Sequence, residues 1–232
     1  MFFDYYYIFW VLPAVIFAIW ASARVSATFQ KYSAQLSHLG LSGSQAARKV
    51  LEAAGVYQVQ IEKTEGSLTD HYDPRTNIIR LSDSVCDRTS TAAIGVAAHE
   101  AGHAIQYAQS YLPIKIRNAI IPVTNIGSRL AIPLILIGLL FAGEGLGNLA
   151  YLGVLCFGLS TLFQLITLPV EFDASRRALR ALESTHILTG EELYGARKVL
   201  TAAALTYVAA LAVSLTQLFR LLTIVNRRNG RR

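Results

Sequence analysis

Four stretches of this chain, residues 5–21, 120–141, 149–170 and 202–225, are apolar for long enough to cross a ~30 Å hydrocarbon layer as helices. This restricts the backbone severely, because in lipid every N–H and C=O must be satisfied within a helix or a closed barrel. Composition agrees. Hydrophobic residues make up 53% of the chain and charged ones only 16%, which argues against an ordinary soluble domain. Tyr5, Tyr6, Tyr7, Trp10 and Trp20 supply interface aromatics for the first stretch. A cleaved signal peptide competes for that stretch, since Ala21-Ser22-Ala23 resembles a cleavage site. However, the extreme N-terminus carries Asp4 and no Lys or Arg, and Arg24 and Lys31 follow the stretch as they do behind an uncleaved anchor. Gly143-Glu144-Gly145-Leu146-Gly147-Asn148 is a tight polar turn, so the second and third stretches form a helical hairpin. The fourth contains Gln217 and Arg220 and reads either as a span or as a tilted, partly interfacial helix.

The net charge of +6 comes partly from the run Arg227-Arg228-Asn229-Gly230-Arg231-Arg232. Beside apolar helices this run is a membrane-flanking anchor rather than a nucleic-acid contact. Cys86 and Cys156 are the two cysteines. They lack metal-ligand spacing and are expected to stay apart and reduced.

Chemistry concentrates in Ala98-His99-Glu100-Ala101-Gly102-His103-Ala104. Histidines four residues apart on a helix point the same way, so both imidazoles can bind one Zn²⁺ from one face. Zn²⁺ lowers the pKa of a water molecule, and Glu100 can take its proton and return it to a leaving amine. The bland alternative is a helix that carries His-Glu-x-x-His by accident. Ser90 or Thr91 can cap a helix over residues 91–109, which puts both histidines mid-helix. Gly102, between them, costs helix propensity and suggests close approach of something to the backbone.

The expected organisation is an anchor over residues 1–23, a polar domain over 24–117, a membrane hairpin over 118–170, a charged helix over 171–201, and a last membrane helix with its basic tail over 202–232. In the polar domain, Leu41-Ser42-Gly43-Ser44 leads into a capped amphipathic helix over 45–54 that ends at Gly55. Residues 56–63 read as a strand, 64–67 and 73–77 as turns, and 78–81 as a second strand. A helix, a short hairpin and the His-Glu helix form a compact zincin-like core. The fold class is therefore a mainly α membrane protein with about four transmembrane helices and a small α+β catalytic domain.

A catalytic zinc needs three protein ligands and an open position. A metzincin would continue with Gly and His after His103, where this chain has Gln106 and Gln109. A protease with its motif inside a span is disfavoured, because the apolar run before His99 is short. The remaining common solution is a glutamate on a separate helix. Glu171, in Leu168-Pro169-Val170-Glu171-Phe172-Asp173-Ala174-Ser175, is the best candidate, with Asp173 as its rival. A carboxylate at the membrane interface is the plainer reading of Glu171. Topology supports a ligand, because two crossings return the chain to the face that holds His99.

Asp70-His71-Tyr72-Asp73-Pro74-Arg75, Asn77-Ile78-Ile79-Arg80-Leu81-Ser82, the run from Ala92 through His99 to Gln106, and the Leu168–Ser175 segment together resemble the YugP-type neutral zinc metallopeptidases of bacterial membranes. The resemblance covers nearly the whole chain. More distantly, the chain is similar to gluzincin membrane peptidases of the HtpX and CAAX-prenyl type. The resemblance implies one zinc per chain held by His99, His103 and Glu171, with Glu100 as general base. The chain departs from the distant relatives at Ser175, where they carry an Asp that orients a histidine ligand. Asp173 lies on another helix face.

Extended substrates often pair with an edge strand, and the strand beginning at Asn77, Ile78 and Ile79 is the candidate, with an ordinary core strand as the alternative. His71, Tyr72, His186 and Tyr207 are open as oxyanion donors, and none is assigned. His38 is expected to be solvated. Arg176, Arg177 and Arg180 are expected to line a membrane-facing helix surface, with a substrate carboxylate as the lesser reading. Partners are the lipid bilayer and a peptide or membrane-protein substrate, with no nucleic acid. Nothing sets an oligomeric state. Arg24, Lys31, Lys115, Arg117, Arg176, Arg177, Arg180, Arg197 and Lys198 flank membrane ends on the His99 side, which places the site on the cytoplasmic face of the cell membrane. The arginine tail opposes this if all four stretches cross. A non-catalytic zinc-binding membrane scaffold is the rival function.

Overall fold

The computed structural model describes residues 5–141 and 146–229. Residues 143–145 of the expected turn over 143–148, and the tail residues Gly230, Arg231 and Arg232, lie outside them. Chain contacts divide the protein into two compact units: Ala21–Lys115 with Pro169–Leu205, and Met1–Trp20 with Ile116–Leu168 and Thr206–Arg232. Among the described residues, four helices are long and apolar enough to cross a membrane. These are α1 (Leu12–Ser33, entered through a π-helical segment, Tyr7–Val11), α4 (Leu112–Leu140), α5 (Gly147–Ser184) and α6 (Gly190–Asn229). Each outruns its apolar stretch. Hydropathy marks only the membrane-facing part, whereas the helix continues wherever one face has protein to pack on.

In the first unit, α2 (Gly43–Ala53) begins at Ser42. The Ser42 side chain accepts from the Gln45 N–H while the Gln45 side chain accepts from the Ser42 N–H, a complete capping box. Its apolar face buries Ala46, Ala47, Val50 and Leu51, and the helix stops at Gly55, whose φ of +72° suits a residue without Cβ. Three strands follow: β1 (Gln60–Thr64), β2 (His71–Asp73) and β3 (Ile78–Ser82), in spatial order β1-β3-β2. β2 and β3 form an antiparallel hairpin around the 73–77 turn, and β1 pairs parallel to β3, Gln60 opposite Ile78. The Asp73 carboxylate accepts from the Arg75 N–H, Thr76 Oγ1 and Arg80, which ties the turn to the strand after it.

α3 (Thr91–Ala108) starts at Ser90, whose side chain accepts from the Ala93 N–H. Most of the helix is buried, and Val50, Leu51, Ile79, Leu81, Ile94, Leu182 and Leu188 form the core around it. Small residues set how closely its neighbours approach. A Cβ on Gly95 would lie 3.2 Å from the Ala196 Cβ of α6, and one on Gly102 would lie 2.5 Å from the Ala174 carbonyl oxygen of α5.

In the second unit, α4 and α5 run antiparallel. Gly138 meets Ala150, Gly153 meets Ala131 and Ile135, and Gly127 meets Cys156, so contacts climb one helix as they descend the other. Small residues let the two backbones approach, as membrane helix pairs require. Thr161 of α5 hydrogen-bonds Ser214 of α6 at 2.7 Å. Arg220 is buried, packs over the Tyr7 ring at 5.3 Å and donates to Gln217. Both cysteines are free.

Candidate metal centre

α3 presents His99 and His103 on one face, with ring centroids 4.7 Å apart. Both Nε2 atoms face Glu171 Oε2, at 3.4 Å from His99 and 3.5 Å from His103. All three donor atoms lie within 4.8 Å of one another, and the side chains are 15%, 12% and 4% exposed. The close approach of α3 and α5 at Gly102 and Ala174 brings Glu171 to the histidines. A tetrahedral zinc with bonds of about 2.0–2.1 Å needs donors about 3.3 Å apart. Two imidazoles and a carboxylate are the donor set that ion takes, and both histidine–carboxylate separations match it.

The other ring nitrogens are held. His103 Nδ1 lies 3.1 Å from Gln106 Oε1, and Gln106 Nε2 donates to the Val170 carbonyl at 2.8 Å and to Asp173 Oδ2 at 2.9 Å. Those two partners only accept, which fixes the amide orientation. Gln106 therefore offers His103 an acceptor, Nδ1 carries the proton, and the Nε2 lone pair faces Glu171. Arg177 donates to Asp173 and to Gln109. His99 Nδ1 lies 3.1 Å from Ser175 Oγ. Ser175 thus holds His99 with a hydroxyl where the distant relatives use a carboxylate. Asp173 is no ligand in this geometry; it acts on His103 through Gln106. In the sequence, Gln106 and Gln109 speak only against a metzincin and against a motif buried in a span. The missed signal was a glutamine three residues after His103 with apolar neighbours on its buried face.

Glu100 is 8% exposed. Burial pushes its carboxyl up to about 6, reinforced by the charges of Glu171 and Asp70, while His99 and the Tyr72 N–H hold it down. Asp70 is itself raised by burial, although it accepts from the Ser82 N–H and Ser82 Oγ. A carboxyl poised near neutrality beside the donor cluster can both accept and release a proton.

The expected substrate strand is corrected, and the other candidate residues take the following places. β3 is the central strand, paired on both edges, so Ile78 and Ile79 have no free edge for a substrate; Asn77 is a turn residue with φ +58° that accepts from the Tyr72 hydroxyl. His38 is not simply solvated, because its N–H and Nδ1 meet the two Glu192 oxygens at 2.7 and 2.8 Å. Arg177 belongs to the Asp173 network, while Arg176 and Arg180 are exposed. Among the oxyanion candidates, His71 and His186 are exposed, and Tyr207 falls in the other unit.

The family described as "putative neutral zinc metallopeptidase" matches residues 7–226. A Bacillus subtilis (strain 168) protein described as "Putative membrane protease YugP" is 44% identical over 218 residues, covering 94% of this chain and 96% of its own length. No solved structure matches the chain. The matched region takes in His99, Glu100, His103, Glu171 and the four long apolar helices. On that extent and identity, the chain belongs to the neutral zinc metallopeptidase family.

Proposed function

We propose that this chain is a membrane-anchored zinc endopeptidase in which His99, His103 and Glu171 hold one Zn²⁺ and Glu100 is the general base. The observation that carries this reading is the convergence of the three donor atoms, from two helices, beside a buried carboxyl. Bound zinc supplies a Lewis acid that polarises the scissile carbonyl and acidifies water. Glu100 takes one proton from the attacking water and delivers it to the leaving amine nitrogen. Ser175 and Gln106 keep both Nε2 lone pairs turned inward. Substrate backbone lies along β2, the edge strand whose Tyr72 N–H already reaches Glu100.

Substrates are membrane proteins or membrane-proximal peptides, since the long helices that carry Glu171 and flank the site tether it to the bilayer. The Lys and Arg residues around Arg24, Lys115, Arg176 and Arg197 favour the cytoplasmic face of the cell membrane. Metal content and casein cleavage of detergent-purified protein test the reading. Wild type and Glu100→Gln are expected to hold one zinc each, with cleavage reduced on the order of 10²–10⁴-fold in the variant. Equal cleavage by both would remove Glu100 from the chemistry. Zinc without cleavage in either would favour the scaffold.

A further inference from the structure

A second concavity, of about 520 Å³, opens between α5 and α6 in the site-bearing unit. Arg176, Arg180 and Arg197 stand on its lining beside one carboxylate, Glu183, and Phe172, Leu179 and Leu200 supply apolar wall. Among the described residues, none of the three arginines makes an ion pair or hydrogen bond with the protein. Arg176 also bears by its charge on the Asp173 carboxylate outside the lining, and three cations against one carboxylate on a single hollow leave it net positive, which favours an anion. A guanidinium fork matches phosphate oxygens in pairs, which an ammonium does not.

The apolar wall narrows the ligand. A free inorganic anion gains nothing from Phe172, 44% exposed, or from the leucines. The chain narrows it further. The lining begins at Phe172, just past the apolar stretch that ends near residue 170, and reaches Ala204, just inside the one that begins near 202. Charge next to apolar wall, at the sequence boundary of two spans, is the chemistry of a lipid headgroup and the start of its acyl chain.

We propose that this cavity binds an anionic phospholipid, with its phosphate on Arg176, Arg180 and Arg197 and its proximal acyl carbons on Phe172, Leu179 and Leu200. The site is separate from the zinc donors, although Ser175, which holds His99, also lies on its lining.

Native mass spectrometry of the full chain, delipidated in detergent and offered equimolar dioleoylphosphatidylglycerol and dioleoylphosphatidylcholine, tests it. Wild type is expected to retain one phosphatidylglycerol in preference. R176Q/R180Q/R197Q is expected to lose that preference on the order of a hundredfold. The charge-matched variant K49Q/R75Q/K198Q is expected to keep it. Glu183→Gln, which removes the opposing carboxylate, is expected to strengthen retention, a gain that misfolding cannot produce. No lipid preference in wild type, or equal loss in the charge-matched variant, would overturn the proposal. Displacement of the lipid by millimolar inorganic phosphate or by a pentaglutamate peptide would assign the cavity to a soluble anion instead and overturn it equally.

Discussion

The two units spend their apolar residues in opposite ways. In the site-bearing unit, Leu51, Ile79, Leu81, Ile94, Leu182 and Leu188 are fully or almost fully buried in one continuous core. In the other, the buried cluster centres on Ile135, Ala150, Val154, Leu221 and Val225, and residues such as Leu136, Leu140, Leu155 and Leu165 stand more than half exposed. Only 17–28% of each apolar window is buried within the protein. One unit is organised by water exclusion, the other by a solvent that is itself apolar, where close backbone packing of small residues replaces a core.

Truncation separates the two most sharply. Leu182→Ala is expected to lower stability by about 2–5 kcal/mol in a denaturation series. Leu155→Ala, at a lipid-facing position, is expected to change stability in detergent by less than about 0.5 kcal/mol. Equal losses would mean that Leu155 has a protein neighbour. Gly102→Ala is next. Its methyl would press on the Ala174 carbonyl, so we expect about 1–3 kcal/mol of destabilisation and a fall in bound zinc, read by calorimetry and metal analysis. Retained zinc with unchanged stability would show that α5 yields there freely.

Gln106→Leu keeps the volume but removes the acceptor for His103 Nδ1. Zinc affinity against a competing chelator is expected to fall about 10–100-fold, with Ser175→Ala losing less because His99 Nδ1 can turn to water. An unchanged affinity would make Gln106 a purely structural bridge. The smallest effect is at the β2–β3 turn. Hydrogen bonds from the Arg75 N–H and Thr76, with Arg80, hold Asp73 down at about 2. A depressed carboxyl stabilises the fold above its ordinary value near 4 and loses that contribution as pH falls through about 2. Amide protection of residues 71–80, corrected for intrinsic exchange, is expected to drop over that interval in wild type. It should be low and flat in Asp73→Asn.

How much of this was legible in the sequence follows the same division. The four apolar stretches, the capped helix starts near residues 42 and 90 and the His-Glu helix all rest on local patterns, and local patterns survive without tertiary information. Glu171 follows from eliminating the other ligand classes and from its place at the end of the third apolar stretch, with membrane parity as a check. Strand order was not legible. β2 has only three residues, too few for a periodic signal, and its insertion beside β3 is decided by the Asp73 turn and by packing on α3. That is why the substrate strand was placed on β3, which has no free edge. The Gln106 bridge escaped for a related reason, since its partners Val170 and Asp173 become neighbours only when α5 lies against α3.

The contact between Gly102 and Ala174 also has a temporal side. His99 and His103 are synthesised before the whole hairpin, and Glu171 only after it. A nascent chain holding the two histidines lacks the third donor until both hairpin helices have been made and α5 has come back to rest on α3. On the proposed ligand set, the donor cluster would then be complete only late in synthesis, once the segment carrying Glu171 has been made.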